Sequence, residues 1–318
     1  MAAVPRLILA HASEAPGAVV RHLFDRFVRD VREPWEPSIG LELRVARTDD
    51  PTRGPRAPLP LTQDPGLRDD DVVVLLVDDR WIAEASYERP DAWRAFEASL
   101  AGRSVLAVAL SAGAFAWIGR MPGLSGAQTI QAAHLADDAA RAREVAYRLA
   151  FTLLTRLAGE ADRPPLTLFV SHAKRDGLGP AGEILRHLAV ANPVKAWFDA
   201  NDLRAGDAFR DAFDRAIETS MLLVVWTDHY TTRPWCRWEL ATARELRRPI
   251  LVVDALERGH QRLSPLLAGL PVVRWTGRPG DAVDAAVFEA LRFRVAELRA
   301  GAQRCDGELR DDAWRARE

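Results

Sequence analysis

Met221-Leu-Leu-Val-Val-Trp226, followed shortly by Pro234-Trp-Cys-Arg-Trp-Glu-Leu240, decides the fold. The first run is apolar at every position, the pattern of a strand buried on both faces of a parallel sheet rather than on one. The second opens on Pro234, a residue suited to the first turn of a helix, where a missing N–H costs nothing. Leu240, Ala243 and Leu246 then continue at helical spacing. Offsets of three and four predict that Trp235, Trp238 and Glu239 share one face of that helix. A carboxylate set between two indoles is either a partly buried structural acid or a working one.

Outward from this unit, strand and helix patterns alternate. Leu166 to Ser171, Val194 to Phe198, Ile250 to Val253 and Val272 to Trp275 read as strands. Glu183 to Val190, Ala208 to Glu218 (with Asp207 as N-cap) and Asp281 to Arg299 read as helices. Such alternation predicts a parallel sheet covered on both faces, an α/β sandwich of flavodoxin-like type with five strands.

The first half repeats the design. Leu7-Ile-Leu-Ala-His11-Ala mirrors Leu168-Phe-Val-Ser-His172-Ala, and Asp71 to Trp81 mirrors Ser220 to Tyr230. Trp93 and Glu97 keep the spacing of Trp235 and Glu239, and Arg103-Ser-Val-Leu-Ala-Val mirrors Arg248-Pro-Ile-Leu-Val-Val. Matches in one order predict a duplicated domain, hence two three-layer sandwiches in tandem. A helix from Ala140 to Leu157 ends at Gly-Glu-Ala-Asp-Arg-Pro-Pro. The expected organisation is therefore a divergent domain over 1–157, a linker over 158–165, a second domain over 166–300 and a polar tail over 301–318.

Bulk composition excludes several classes. Lys plus Arg total 43 against 45 for Asp plus Glu, a net charge of -2, so nothing pulls the 318-residue chain toward nucleic acid or an anionic membrane. The two cysteines, Cys236 and Cys305, form no disulfide framework, and the seven histidines lack ligand spacing, so no metal is expected. The uncharged run from Val105 to Gly119 falls short of the roughly 20 residues that span a bilayer. A cytoplasmic protein without membrane contact is the expectation.

Three local signals compete for chemistry. Gly177-Leu-Gly179-Pro-Ala-Gly182 spells a dinucleotide fingerprint, with Asp199 and Asp202 beyond it, but Pro180 removes an amide and the first glycine stands away from the strand end. A glycine-rich lead into a helix is the better reading. Cys236 lies near a helix start, where thiol pKa falls, yet no histidine is tied to it, and a small core-facing residue is preferred. Phe198-Asp-Ala-Asn-Asp202-Leu-Arg-Ala-Gly206 is a polar connection from strand to helix.

Taken in order, Leu168-Phe-Val-Ser-His172, Phe198-Asp-x-x-Asp202-Leu-x-x-Gly206 and Trp235-Cys-x-x-Glu239-Leu resemble the Toll/interleukin-1 receptor (TIR) domain family, in its bacterial type, over about residues 164–300. The resemblance implies a flavodoxin-like fold and an assembly loop from Asp199 to Asp207, carrying Asp202, Leu203, Arg204 and Gly206. It implies TIR–TIR self-association or pairing with other TIR proteins. It also implies cleavage of NAD⁺ at the nicotinamide–ribose bond in defence or stress signalling, with NAD⁺ as substrate and no cofactor. Glu239 then faces the ribose, with Trp235, Trp238, Ser171 and Phe198 around the substrate. The alternative is a TIR scaffold that catalyses nothing. A nucleotide-binding oxidoreductase is the third class, and it predicts a bound chromophore. The first half resembles the family faintly: it keeps Trp93 and Glu97 but has Arg47 to Pro55 where the assembly loop belongs.

Overall fold

The computed structural model describes residues 4–12, 17–28, 39–45, 60–63, 66–121, 123–124, 129–135, 137–158, 166–190, 194–197, 215–258 and 265–315. Two compact units divide the chain: Met1–Leu149 with Val295–Glu318, and Ala150–Arg294. Each contains one five-stranded sheet, and every strand pairing recorded is parallel.

In the first unit the strands are β1 (Leu7–His11), β2 (Leu43–Val45), β3 (Val72–Val77), β4 (Ser104–Ala109) and β5 (Thr129–Gln131), ordered β2-β1-β3-β4-β5. In the second they are β6 (Thr167–His172), β7 (Lys195–Trp197), β8 (Met221–Trp226), β9 (Ile250–Asp254) and β10 (Val272–Arg274), ordered β10-β9-β8-β6-β7. Read from the second strand of each set, both orders are 2-1-3-4-5, the doubly wound order of flavodoxin-like sheets.

The agreement extends to register. Leu7 lies opposite Leu43 and Val72, as Leu168 lies opposite Ala196 and Met221. Ala107 opposite Thr129 corresponds to Val252 opposite Val272. A one-residue slip would send every side chain to the other face. Ala10 therefore occupies in the first sheet the place Ser171 occupies in the second.

Both central strands, β3 and β8, are buried at all positions, which explains why their sequences run apolar without alternation. In the first unit one sheet face packs Ile8, Val73, Leu75 and Ala107 against Trp81, Trp93 and Phe96. In the second, Phe169, Leu222, Val224 and Val252 pack against Tyr230, Leu240 and Leu267. Residues of the opposite faces, such as Leu7, Leu9 and Leu168, are buried as well.

Helix limits differ from the sequence reading where end chemistry decides them. The helix expected from Glu183 runs Leu178–Ala189, so Gly179 and Gly182 are helical residues with open space where a β-carbon would stand. The glycine fingerprint is therefore not a phosphate loop. Gly177 is the constrained one: its amide donates to Ala173 O at 2.8 Å, and a β-carbon there would sit 2.9 Å from the same oxygen. The last helix spans Pro279–Arg315, well past Arg299. Of the helix expected over Ala208–Glu218, only 215–218 falls within the described residues. No described helix is long and apolar enough to cross a membrane.

The helix Pro234–Glu245 starts on Arg233 in extended conformation with proline in its first turn. It ends with Arg247 at φ 51°, whose amide donates to Arg244 O, while the Arg248 amide reaches back to Ala243 O at 2.8 Å. This is a Schellman closure with arginine in a place that favours glycine.

Candidate functional site

At the C-terminal end of β6 a cavity of about 620 Å³ opens, lined by Phe169 to Arg175 on one side and by Arg233, Trp235, Cys236 and Glu239 on the other. Two segments build it. The strand end delivers Ser171 and His172, and the turn held by Gly177 delivers Lys174 and Arg175. The first two turns of the Pro234–Glu245 helix supply the rest.

Glu239 is 5% exposed and shares the buried face of its helix with Cys236, Leu240 and Ala243. Ser171 donates its hydroxyl proton to Glu239 Oε2 at 2.5 Å, and Ser171 Oγ lies 2.7 Å from Tyr230 Oη. Tyr230 is fully buried, and that burial, followed by the nearby Glu239 charge, holds its phenol well above its ordinary pKa. The Cys236 thiol points at His172 O, 3.5 Å away, so this cysteine is core-facing as its sequence suggests.

The helix separates the three residues that spacing alone places on one face. Trp235 is 41% exposed on the cavity rim, while Trp238 is half-buried against the core and does not line the cavity. The two indoles stack on each other, 4.7 Å between centroids, rather than on either side of the carboxylate. Their offset of three residues makes them neighbours. Glu239, four from Trp235, instead turns inward toward the strand end.

Ser171, Trp235 and Glu239 thus meet at one cavity. Phe198 and the loop residues Asp202, Leu203, Arg204 and Gly206 lie outside the described residues, as does Arg47 to Pro55 of the first half. Sequence reasoning passed over Tyr230, Lys174, Arg175 and Arg233. Tyr230 had a usable signal, a tyrosine four residues beyond an apolar strand. Arg175 and Arg233 had none, since arginine is common throughout this chain, whereas Lys174 is one of only two lysines.

A second hollow of about 640 Å³ lies beyond Arg175, lined by Asp176, Thr227, Asp228, His229, Asp254, Arg258 and Arg274 among others. Asp176 organises its edge, accepting from Thr227 Oγ1 at 2.8 Å and from the His229 amide at 3.0 Å. Among the described residues no group of His, Cys, Asp and Glu has the arrangement of a metal site.

A family model described as TIR domain matches residues 168–291. The C-terminal half of the chain therefore carries a TIR domain. No curated protein matches the chain. Among solved structures, tagatose-6-phosphate ketose/aldose isomerase from Escherichia coli is 12% identical, with 93% of this chain and 83% of that one covered at a TM-score of 0.24. A dipicolinate synthase chain from Bacillus halodurans is 12% identical, with 93% and 98% covered at 0.20. Superpositions this loose bear on neither fold nor activity.

Proposed function

We propose that the C-terminal TIR domain cleaves NAD⁺ between nicotinamide and ribose, as a hydrolase or cyclase acting in defence or stress signalling. The observation that carries this reading is Glu239. It is a nearly buried carboxylate in the wall of a cavity that also presents Lys174, Arg175 and Arg233 and, at its rim, the exposed indole of Trp235. A carboxylate and cations lining one cavity match a substrate whose ribose turns cationic while its pyrophosphate stays anionic.

The reaction needs little acid–base help. As the bond between C1′ and the ring nitrogen breaks, both electrons leave with nicotinamide, which departs neutral. The ribose is left with oxocarbenium character, and Glu239 stabilises that charge at short range in a poorly hydrated site. Water adding at C1′ gives ADP-ribose and a proton; a nucleophile within the ADP-ribose gives a cyclic product. Trp235 offers a flat face for an aromatic ring. Self-association through the loop Asp199 to Asp207, or pairing with other TIR proteins, belongs to the same proposal, as does a cytoplasmic location. The first half, with its matching sheet register, is proposed as a TIR-like copy that regulates or docks.

The test is nicotinamide release by the full chain at high protein concentration, where assembly is favoured. Wild type is expected to release nicotinamide and Glu239→Ala is not. Equal release by both overturns the assignment of Glu239, and no release at any concentration leaves the scaffold reading in its place.

A further inference from the structure

We infer that Tyr230 is a positioning residue for the Glu239 carboxylate and acts through the Ser171 hydroxyl. The inference rests on the reading of Glu239 as the group that faces the ribose.

Counting protons orders the network. An ionised carboxylate only accepts, and a serine hydroxyl has one proton to give. At 2.5 Å from Glu239 Oε2, Ser171 spends that proton on the carboxylate. Its oxygen then meets Tyr230 Oη at 2.7 Å as an acceptor, so the phenol must be the donor. Tyr230 keeps the proton this requires, because burial and the adjacent negative charge oppose its ionisation. Donation runs from Tyr230 to Ser171 to Glu239, and each bond polarises the next.

Both donors are fixed from behind. Ser171 belongs to β6, where it lies opposite Val224 of the fully buried β8. Tyr230 sits in a 3₁₀ turn, Tyr230–Thr232, with its amide donating to Thr227 O at 3.0 Å and its ring in the apolar core. Its hydroxyl also lies 3.4 Å from the carbonyl of Cys236, on the first turn of the helix that carries Glu239. A glutamate side chain has three rotatable bonds whose freedom is lost when it is fixed. Here one of its oxygens is pinned to the sheet and, through it, to the core.

The first half shows that this is not a by-product of the fold. Ala10 stands in register where Ser171 does, and Trp81 follows β3 by four residues as Tyr230 follows β8. Neither has a hydroxyl. The Glu97 carboxylate accepts instead from the indoles of Trp117, at 3.2 Å, and Trp81, at 3.5 Å.

Donation to the charged form lowers a carboxyl pKa, and loss of the donor raises it. The experiment titrates Glu239 in the full chain by carboxyl ¹³C NMR, with the signal assigned by its absence in Glu239→Gln. Wild type is compared with Tyr230→Phe, Ser171→Ala and the double variant. Ser171→Ala is expected to raise the midpoint by on the order of one pH unit and Tyr230→Phe by less, with the double variant matching Ser171→Ala. The acid limb of nicotinamide release should move up in step, with kcat reduced and KM little changed. An unmoved Glu239 midpoint in Tyr230→Phe overturns the inference, as does a further shift when Tyr230→Phe is added to Ser171→Ala. The titration needs no turnover, so a wild-type protein that releases no nicotinamide would sink the cleavage reading while the relay is still decided.

Discussion

Two glutamates, Glu97 and Glu239, stand on helices that come after the central strands of two sheets of one register, each four residues beyond a tryptophan. Their surroundings differ. Trp93 is 2% exposed and stacks on Trp81 with 4.2 Å between centroids, so the tryptophan of the first pair is core. Trp235, its counterpart, stands at a cavity rim. Glu97 is held by indole N–H groups and Glu239 by a hydroxyl that leads to another hydroxyl. The lesson is that a Trp-x-x-x-Glu spacing fixes where a carboxylate starts out, whereas the residues at the ends of the neighbouring strands decide what it does. Where the second half has Ser171 and Tyr230 the first has Ala10 and Trp81, and the donors to its glutamate are the indoles of Trp81 and Trp117.

The sharpest way to break this comparison is to neutralise both acids. Glu239→Ala should lower nicotinamide release by about 10²–10³, the cost of removing one preorganised electrostatic partner. Glu97→Gln should leave the rate per folded molecule unchanged; a comparable loss in both would erase the distinction.

A slightly smaller effect belongs to a group only the first unit has. Asp71 precedes β3 where Ser220 precedes β8, and it accepts from Arg6 Nε at 2.9 Å and Nη2 at 2.6 Å and from the Arg68 amide at 2.8 Å. Burial alone would raise this carboxyl, but the Arg6 and Arg68 contacts hold it below its ordinary value. A depressed folded-state pKa stabilises the fold above the ordinary carboxylate range, and that contribution fades as pH falls below about 4. Asp71→Ala should cost about 3 kcal/mol in denaturant titration at neutral pH, because Arg6 loses its buried partner. The gap from wild type should narrow in acid. An equal gap at both pH values would contradict the pairing.

Glu97→Gln tests the indole clamp. An amide accepts more weakly than a carboxylate and adds donors that nearby indole N–H groups cannot receive, so about 1–2 kcal/mol of stability should be lost. An unchanged thermal midpoint would mean that the two indole bonds carry nothing.

The smallest expected effect has the opposite sign. Arg247, at φ 51°, stands before β9 where Gly102, at φ 75°, stands before β4. Arg247→Gly should raise stability by about 1 kcal/mol, since a left-handed conformation penalises any β-carbon. A loss would show that the arginine side chain contributes more than its backbone costs.

The parallel α/β layout was legible because β3 and β8 carry unbroken apolar runs that suit a sheet covered on both faces, whereas strand order and register left no mark in the sequence. Helix starts were less so: Gly179 and Gly182 look like loop residues until packing from Ala181, Ile184 and Leu188 recruits them into a helix. Glu239, Ser171 and Trp235, which line one cavity, all belong to motifs that stand out in the sequence. Trp238 packs against the core and does not line the cavity, since spacing defines neighbours on a helix but not which of them the cavity reaches. Tyr230 offers one local cue, its place four residues beyond an apolar strand, but its bond to Ser171 spans 59 positions and leaves no pattern that names the partner.

Gly177 has a consequence for the charged rim. Its missing β-carbon lets the chain double back on Ala173 so tightly that no other amino acid fits without moving the main chain. Lys174 and Arg175 are carried on that bend. The main-chain path that carries these two side chains past the cavity is thereby held like a folded hinge that glycine alone permits, while their flexible stems leave the charges free to reach.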